Sequence, residues 1–152
     1  MIARASPAWS LTYRAFYRLI RAADPLARAW WRRFGLANVV ELRLRGRRTG
    51  RERSILLGLL IAEGRWYLGH PNGAVAWTLN LDASDGQATL VRPGLPPLAV
   101  VAYPLPPGPE RERAILATWQ HPFPGNLLYR LGRRHILAVG RFYRVAPSAL
   151  TE

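Results

Sequence analysis

A charged hairpin between two apolar segments constrains the fold of this chain more than any other feature. Five arginines and two glycines lie between Leu44 and Arg53, a stretch that we call the arginine turn. Apolar and polar residues alternate from Val39 up to this turn, and the residues after it, Ile55 to Ala62, are almost unbroken aliphatic. Alternation with a period of two predicts a half-buried strand, and a short aliphatic run predicts a strand that is covered on both sides. We therefore expect two strands joined by the arginine turn, with the second strand crossing the centre of a sheet.

The arginine turn is also a candidate binding site for a polyanion. Gly46 and Gly50 allow the positive φ angles that tight turns need, and the guanidinium groups offer paired donors that match phosphate or carboxylate oxygens. On charge alone, a solvated basic turn would explain these residues as well. The segment from Asn72 to Leu81, in which a loop is followed by a tryptophan and an asparagine, favours the binding site.

The composition limits both the size and the chemistry of the protein. A chain of 152 residues can bury a single core, and no proline- or glycine-rich linker divides it, so we expect one domain. Cysteine and lysine are absent, which excludes disulfides, thiolate nucleophiles, Schiff-base lysines and Walker-type phosphate lysines. The formal net charge of +13 predicts an acidic partner, which could be nucleic acid, anionic lipid or a multiply charged small molecule.

The rest of the pattern predicts an antiparallel barrel. A turn at residues 63–64 leads into a strand at 65–68, and a loop at 70–73 leads into a short helix through Trp77 and Leu81. Further elements are expected as strands near 87–92 and 97–103, a helix at 110–119, a helical turn near 126–133 and a closing strand at 137–145. Five or six strands with helices at the ends and no regular βαβ alternation favour an α+β fold of mainly antiparallel strands over a doubly wound sheet.

Residues 1–36 are predicted to form two amphipathic helices. Apolar residues recur from Trp9 to Ile20 at spacings of three and four, beside a separate stripe of arginines. The second helix is expected to begin with Asp24 as its N-cap and to end at Gly35. Its apolar residues Leu26, Trp30, Trp31 and Phe34 oppose Arg28, Arg32 and Arg33. We expect both helices to cover one side of the barrel with their arginines in solvent; interfacial contact with a membrane is the alternative that this composition leaves open.

The order and spacing of several segments resemble the deazaflavin-dependent nitroreductase family, which belongs to the split β-barrel superfamily of flavin- and deazaflavin-binding proteins. The segments are the arginine turn, the apolar strand after it, Trp66-Tyr67-Leu68, and Gly73 to Leu81 with its Trp77-x-x-Asn80-Leu81. The resemblance covers about residues 39–92 and, more weakly, the closing strand at 141–145. It implies a split β-barrel of the FMN-binding, pyridoxamine phosphate oxidase-like kind at 37–146, with an N-terminal helical segment at 1–36 and short peripheral helices, in one domain of 1–152.

By this resemblance the cofactor is coenzyme F420, whose deazaflavin ring carries a phosphate and an oligoglutamate tail. The phosphate and tail would be held by Arg47, Arg48, Thr49, Gly50 and Arg53. Leu57 would line the ring, and the phosphate side would be wrapped by His70, Pro71, Asn72 and Gly73. Trp77 and Asn80 would fix the short helix beneath the cofactor, although ordinary packing explains these two residues equally well. FMN, FAD or haem could occupy the same kind of cleft.

The resemblance implies an oxidoreductase that transfers a hydride from reduced F420 to an electron-poor acceptor, such as a quinone, a nitroaromatic or an activated alkene. No residue is singled out as catalytic. The candidate proton donors are Tyr13, Tyr17, Tyr129, His70 and His121, and the three tyrosines among them are also candidate substrate contacts. No metal site is predicted, and the acidic residues lack the paired spacing of an acid/base hydrolase.

Two departures from the family pattern bear on the cofactor and the partners. Leu56 stands where family members often have a proline, and the loop at 70–73 is shorter and less basic than the usual glycine-rich loop.

The hairpin 43–53 contains no aromatic residue on which bases could stack, which argues against nucleic acid as a partner. No apolar run reaches the length of a membrane span. We expect a cytoplasmic monomer or homodimer, with a non-enzymatic or peripheral membrane-binding role as the alternative.

Overall fold

The computed structural model of the protein describes residues 4–148, which form a seven-stranded antiparallel sheet surrounded by helices. The strands are β1 (Val39–Arg45), β2 (Glu52–Gly58), β3 (Leu60–Ala62), β4 (Arg65–His70), β5 (Gln87–Val91), β6 (Leu98–Pro104) and β7 (Arg141–Pro147). The helices are α1 (Pro7–Ala22), α2 (Asp24–Phe34), α3 (Ala76–Ala83), α4 (Pro109–Leu116), α5 (Gly125–Leu131) and α6 (Arg133–Val139), with a short 3-10 helix at Ala117–Gln120. Residues 1–3 and 149–152 of the predicted domain lie outside the described residues.

The sheet curls because its two edge strands are almost contiguous in the chain. The strand order is β2-β1-β5-β6-β7-β4-β3, so β2 and β3 lie at opposite edges although only Leu59 separates them. One residue cannot span a flat seven-stranded sheet, since neighbouring strands are about 4.8 Å apart. The edges therefore approach each other at Leu59, whose N–H donates to the Asn38 carbonyl at 2.8 Å. This curled half-barrel with peripheral helices confirms the predicted α+β class.

The prediction of one central strand from Ile55 to Ala62 was wrong. The run is divided between the two edges of the sheet, which also raises the strand number from the expected five or six to seven. The segment Ile55 to Ala62 is aliphatic on both faces because a hydrophobic core lies on each side of the sheet here. Leu59 belongs to the core inside the curl, whereas Leu60 belongs to a second core outside it.

Two cores share the sheet as a common wall. The inner core includes Val40, Leu42, Leu44, Leu68, Trp77, Leu81, Leu90, Val100, Tyr143 and Val145, as the alternation in β1 predicts. The outer core lies under the helices and includes Tyr13, Leu60, Tyr67, Ala114, Ile115, Tyr129, Ile136 and Phe142. Successive strand residues point to opposite faces, so neighbours such as Phe142 and Tyr143 enter different cores.

A buried carboxylate attaches α2 to the sheet. Arg28 donates to Glu41 Oε2 at 2.9 Å, and Arg43 donates to Glu41 Oε1 at 2.5 Å. The prediction that all the arginines of α2 face solvent was therefore wrong for Arg28. Asp24 is not the N-cap either, because that position is Ala23; the Asp24 carboxylate instead accepts from Arg28 Nε at 2.6 Å. Gly35 ends the helix with a φ of 72°, as predicted.

The predicted closing strand from Leu137 begins too early. Residues up to Val139 are helical, and β7 starts at Arg141. Arg111 explains the difference, because its buried guanidinium donates to the carbonyl oxygens of residues 136, 137 and 140 at 3.1, 3.0 and 2.8 Å. These bonds cap the carbonyl end of α6, where the Ile136 carbonyl also accepts from the Gly140 N–H at 2.7 Å, and they stabilise a helix that local sequence does not indicate.

Glu41→Gln should lower the free energy of unfolding by about 3 kcal/mol, since a buried group that neutralises two arginines loses its charge. Glu63→Gln is the control, because Glu63 pairs with Arg113 at 3.7 Å on an exposed surface and should change stability by less than about 0.5 kcal/mol. Urea unfolding followed by circular dichroism measures both. Equal losses in the two variants would contradict the anchoring role of Glu41.

Candidate functional site

The arginine turn connects β1 to β2 and carries a net positive charge, with five arginines against the single carboxylate Glu52. Its backbone is closed by hydrogen bonds from Gly46 N to Arg51 O at 2.8 Å and from Gly50 N to Gly46 O at 2.9 Å. Gly50 has a φ of 70°, which favours glycine. The side chains of residues 47–53 are exposed, and among residues 4–148 no carboxylate forms a salt bridge with an arginine of the turn. The turn can therefore attract an anion without first breaking an ion pair.

Asn80 supports the arginine turn from α3. Its side-chain oxygen accepts from both the backbone N–H and the Nη1 of Arg47, at 3.1 and 2.8 Å. This contact gives Asn80 a positioning role. Thr49 Oγ1 accepts from the Arg51 N–H at 3.3 Å. Within the described chain, the guanidinium groups of Arg48 and Arg53 have no hydrogen-bond partner, so these two remain free to bind a ligand.

The loop after β4, by contrast, is turned into the protein. His70 Nδ1 accepts from the Asn72 N–H at 3.1 Å, and the Asn72 side-chain amide donates to the Ser10 carbonyl of α1 at 3.0 Å. Gly73 has a φ of 81°, and a Cβ there would lie 2.2 Å from the Val139 carbonyl oxygen. The polar side chains of the loop predicted to wrap a phosphate therefore form hydrogen bonds with α1 and with the backbone of the loop itself.

His135 also contacts this loop, through the side chain of Asn72. Its Nδ1 accepts from the Ser6 N–H at 2.9 Å, which places the ring proton on Nε2, and Nε2 lies 2.9 Å from Asn72 Oδ1. Burial lowers the pKa of His135 and favours this neutral form. This role of His135 cannot be predicted from the sequence, because a single histidine in the basic segment 130–135 carries no local signal of it.

Four of the five candidate proton donors meet in one place, which we call the tyrosine–histidine cluster. The hydroxyl oxygens of Tyr17 and Tyr129 are 2.5 Å apart. The His70 ring lies 4.6 Å from the Tyr17 ring, and the His121 ring lies 4.8 Å from the Tyr129 ring. A Cβ at Gly58 would lie 2.1 Å from His121 Nδ1, so this ring sits directly on the backbone where β2 ends.

Tyr13 lies in the outer core beside the cluster. It is fully buried, and its hydroxyl donates to the Leu128 carbonyl at 2.6 Å. Its ring also packs against the Tyr129 and His135 rings. Because its single proton is already donated to the backbone, Tyr13 supports α5 instead of presenting a free hydroxyl.

Burial keeps all four members of the cluster uncharged near neutral pH. It lowers the pKa of His70 and of His121 to about 4. Burial also raises the pKa of Tyr17 to about 12, against a small opposing effect of its hydrogen bond with Tyr129, and raises that of Tyr129 well above the ordinary value. In the tyrosine pair one hydroxyl donates to the other, which leaves one O–H proton available to a ligand.

Trp77 connects the two halves of the predicted site. It lies one turn before Asn80 in α3, and its ring is 6.4 Å from the His70 ring. The indole is buried, and its Nε1 has no partner in the described part of the chain. An unpaired buried N–H is costly, so it is a donor suited to a polar atom of a bound group. Leu57 is half-buried and packs against the inner core.

Two open grooves of the molecule lie elsewhere. One of about 650 Å³ is lined by Trp9, four arginines and His135, and another of about 520 Å³ is lined by Asp82, Tyr103 and Tyr143, among others. Neither is lined by any of the predicted cofactor-binding residues. The cluster itself is closed, because Tyr129 and His70 are only 2% and 6% exposed. A ligand that reaches it must therefore displace packed side chains, and Tyr17 of α1 covers His70.

Residues 4–148 contain neither a metal-binding cluster nor a membrane-spanning helix. No three or more histidine, aspartate or glutamate side chains lie together in a way that could hold a metal ion. No helix in that range has both the length and the apolarity needed to cross a bilayer.

Several solved structures share this fold. An F420-H2-dependent reductase (FDR-A) gives a TM-score of 0.53 at 17% identity, covering 70% of this chain and 93% of that one. The haem storage protein HutZ from Vibrio cholerae gives 0.53 at 13% identity, covering 84% and 91%. A candidate pyridoxamine 5′-phosphate oxidase from Listeria innocua gives 0.50 at 9% identity, covering 74% and 85%. The sequence matches no protein-family model and no curated protein.

These similarities establish the class of fold. The chain is a split β-barrel of the pyridoxamine phosphate oxidase-like kind, which confirms the fold that the sequence resemblance implies. Its structural neighbours include an F420-H2-dependent reductase, as that resemblance leads one to expect. At identities of 9–17% the likeness extends to the fold alone, and the reductase and the haem storage protein differ in what they bind.

His70→Asn should flatten the pH dependence of stability. The pKa of His70 is about 4 in the folded protein against 6.5 ordinarily, so between these values the unfolded state binds more protons and stability falls as the pH falls. Titration of His70 should lower the free energy of unfolding of the wild type by on the order of 2 kcal/mol when the pH falls from about 7.5 to about 5. Asparagine can still accept the Asn72 N–H but does not titrate. Urea unfolding at both pH values tests this, and identical slopes for wild type and variant would contradict it.

Proposed function

We propose that the protein is an oxidoreductase that binds coenzyme F420 and reduces an electron-poor organic acceptor. The observation that carries this proposal is the line of contacts from an exposed cationic turn, through Asn80 and Trp77, to a closed aromatic cluster. A cofactor with an anionic tail and a planar ring needs these two environments at its two ends. The F420-H2-dependent reductase among the structural neighbours supports the same choice.

The residues present fit such a cofactor. Arg48 and Arg53 offer unpaired guanidinium groups for phosphate or glutamate oxygens, and Arg47 is already oriented by Asn80. The unpaired Trp77 N–H offers a donor at the buried end. The full positive charge of the turn favours a multiply charged tail over a single phosphate, because each further carboxylate finds another arginine.

The tyrosine–histidine cluster is suited to supply a proton. When bound, reduced F420 supplies a hydride; the acceptor then needs one proton to complete a two-electron reduction. Imidazoles with a pKa of about 4 carry no spare proton near neutral pH, so the Tyr17 and Tyr129 hydroxyls are the better donors. Solvent can reprotonate the pair after release. The apolar surroundings also favour uncharged planar acceptors, which include quinones, nitroaromatics and activated alkenes.

Haem or a flavin is the second candidate ligand. His121 is a neutral imidazole with no side-chain hydrogen bond among the described residues, so it offers a lone pair to haem iron, whereas the His70 lone pair already accepts from the Asn72 N–H; a haem storage protein shares the fold. FMN and FAD would use the same guanidinium groups for their phosphates. Binding of haem would favour the non-enzymatic role that the sequence leaves open.

Oxidised F420 should bind saturably to the protein, and Arg48→Ala/Arg53→Ala should weaken binding by at least about 10-fold, because each charge-assisted contact is worth roughly 1.5–3 kcal/mol. Both replaced side chains are exposed and unpaired, so the fold should be unaffected. Fluorescence titration measures the affinity, with parallel titrations of FMN, FAD and haem.

Arg130→Ala/Arg134→Ala is the matched control, since it removes the same charge from two exposed arginines beside the 650 Å³ groove. The control should bind F420 like the wild type. If the control weakens binding more than the Arg48/Arg53 variant does, the cofactor site lies in that groove. Tight binding of haem or flavin with none of F420 would reject the proposed cofactor.

Tyr129→Phe should lower kcat by about 10–100-fold with F420 affinity unchanged, because it removes one proton donor without removing the ring. Tyr103→Phe is the control, since Tyr103 is 47% exposed and lies outside the cluster. Turnover with a soluble quinone or nitroaromatic, measured in H2O and D2O, tests the role. A kcat equal to that of wild type would show that the proton comes from solvent directly.

A further inference from the structure

The outward side of α2 carries an apolar stripe that the protein leaves uncovered. Leu26, Trp30 and Phe34 are spaced four residues apart, so they lie on one face of the helix. They are 79%, 57% and 63% exposed, whereas Trp31 on the sheet side is 3% exposed. The expectation that the apolar face of this helix packs against the barrel therefore holds for Trp31 alone.

The stripe is ordered by its own contacts. The rings of Trp30 and Phe34 pack with centroids 4.7 Å apart, and the Arg33 guanidinium lies 5.4 Å from the Phe34 centroid. At the end of α1, just before α2 begins, Leu19 is also 72% exposed. Large apolar side chains are rarely left this open in such a group unless something covers them.

The exposed basic charges of α1 and α2 are of one sign, and Arg33 lies beside the stripe against Phe34. Arg14, Arg18, Arg21, Arg32 and Arg33 are all exposed. Asp24 is the only acidic residue in either helix, and its carboxylate is already engaged by Arg28. Exposed apolar and aromatic residues bordered by unpaired arginines are the composition of a helix that lies in the interface of an anionic bilayer.

We propose that α2, together with the end of α1, docks on an anionic lipid bilayer. Leu26, Trp30 and Phe34 enter the boundary between headgroups and acyl chains, and the arginines bind lipid phosphates. Tryptophan prefers this depth because its ring is apolar and its N–H is polar. This inference concerns an exposed face of α2 that the sheet does not cover, and it does not depend on the cofactor.

Charge argues against a second copy of the chain as the occupant. A symmetric contact through this surface would bring Arg33 of both copies close together without a carboxylate between them, in a protein of net charge +13. Leu116, Trp119 and Phe123 are exposed apolar side chains of the same three types, and Arg113, which precedes them in the chain, is paired with Glu63. They therefore serve as a comparison.

Flotation of the whole protein with vesicles tests the proposal. The wild type should float with phosphatidylglycerol vesicles and not with phosphatidylcholine vesicles, and it should be released by salt. Leu26→Ser/Trp30→Ser/Phe34→Ser should reduce the bound fraction by at least about 5-fold. The matched control, Leu116→Ser/Trp119→Ser/Phe123→Ser, removes the same three residue types and should float like the wild type. Thermal unfolding should be unchanged in both variants.

Arg32→Gln/Arg33→Gln tests the electrostatic contribution to lipid binding. This variant should lower binding to the anionic vesicles by roughly 10-fold. The proposal is overturned if the wild type does not float, or if both serine variants lose binding equally. It is also overturned in favour of self-association if light scattering without lipid shows a dimer that the α2 variant abolishes.

Discussion

The architecture depends on the continuity of the chain through Leu59. Because β2 and β3 are one residue apart and yet form opposite edges of the sheet, the sheet has to curl until those edges meet. The curl creates a core on each side of the sheet, and it brings the end of β2 beside the helical segment that lies between β6 and β7 in the chain. His121 packs on Gly58 at that corner, and the tyrosine–histidine cluster forms around this contact.

The same geometry separates the candidate site into two ends with different physics. The arginine turn is exposed, and its five arginines outnumber its one carboxylate, Glu52, so an anion gains attraction there without large desolvation costs. The cluster is buried and neutral, so it tolerates an apolar ring and holds its protons on tyrosine oxygens. Helix α3 joins the ends, since Asn80 orients Arg47 and Trp77 approaches His70. The proposed cofactor would contact both ends at once. Neither open groove contains residues of these ends, so the proposed function does not involve the grooves.

Local signals predicted the elements that local physics controls. The alternation in β1, the arginine turn and Gly35 at the end of α2 could all be read from neighbouring residues. The errors arose where distant residues decide: the split of Ile55–Ala62 follows from closure of the sheet, and α6 persists because Arg111, more than twenty residues earlier, caps it. The cluster members were identified singly, but their proximity could not be, since Tyr17 and Tyr129 are 112 residues apart.

A crystal structure of the protein with oxidised F420 would test the central claim most directly. The account predicts phosphate or glutamate oxygens on Arg48 and Arg53, with the deazaflavin ring between Trp77 and the tyrosine–histidine cluster, and Tyr17 displaced to admit it. Density for the cofactor in the groove beside Arg133 and Arg134, with the arginine turn empty and the cluster closed, would contradict it.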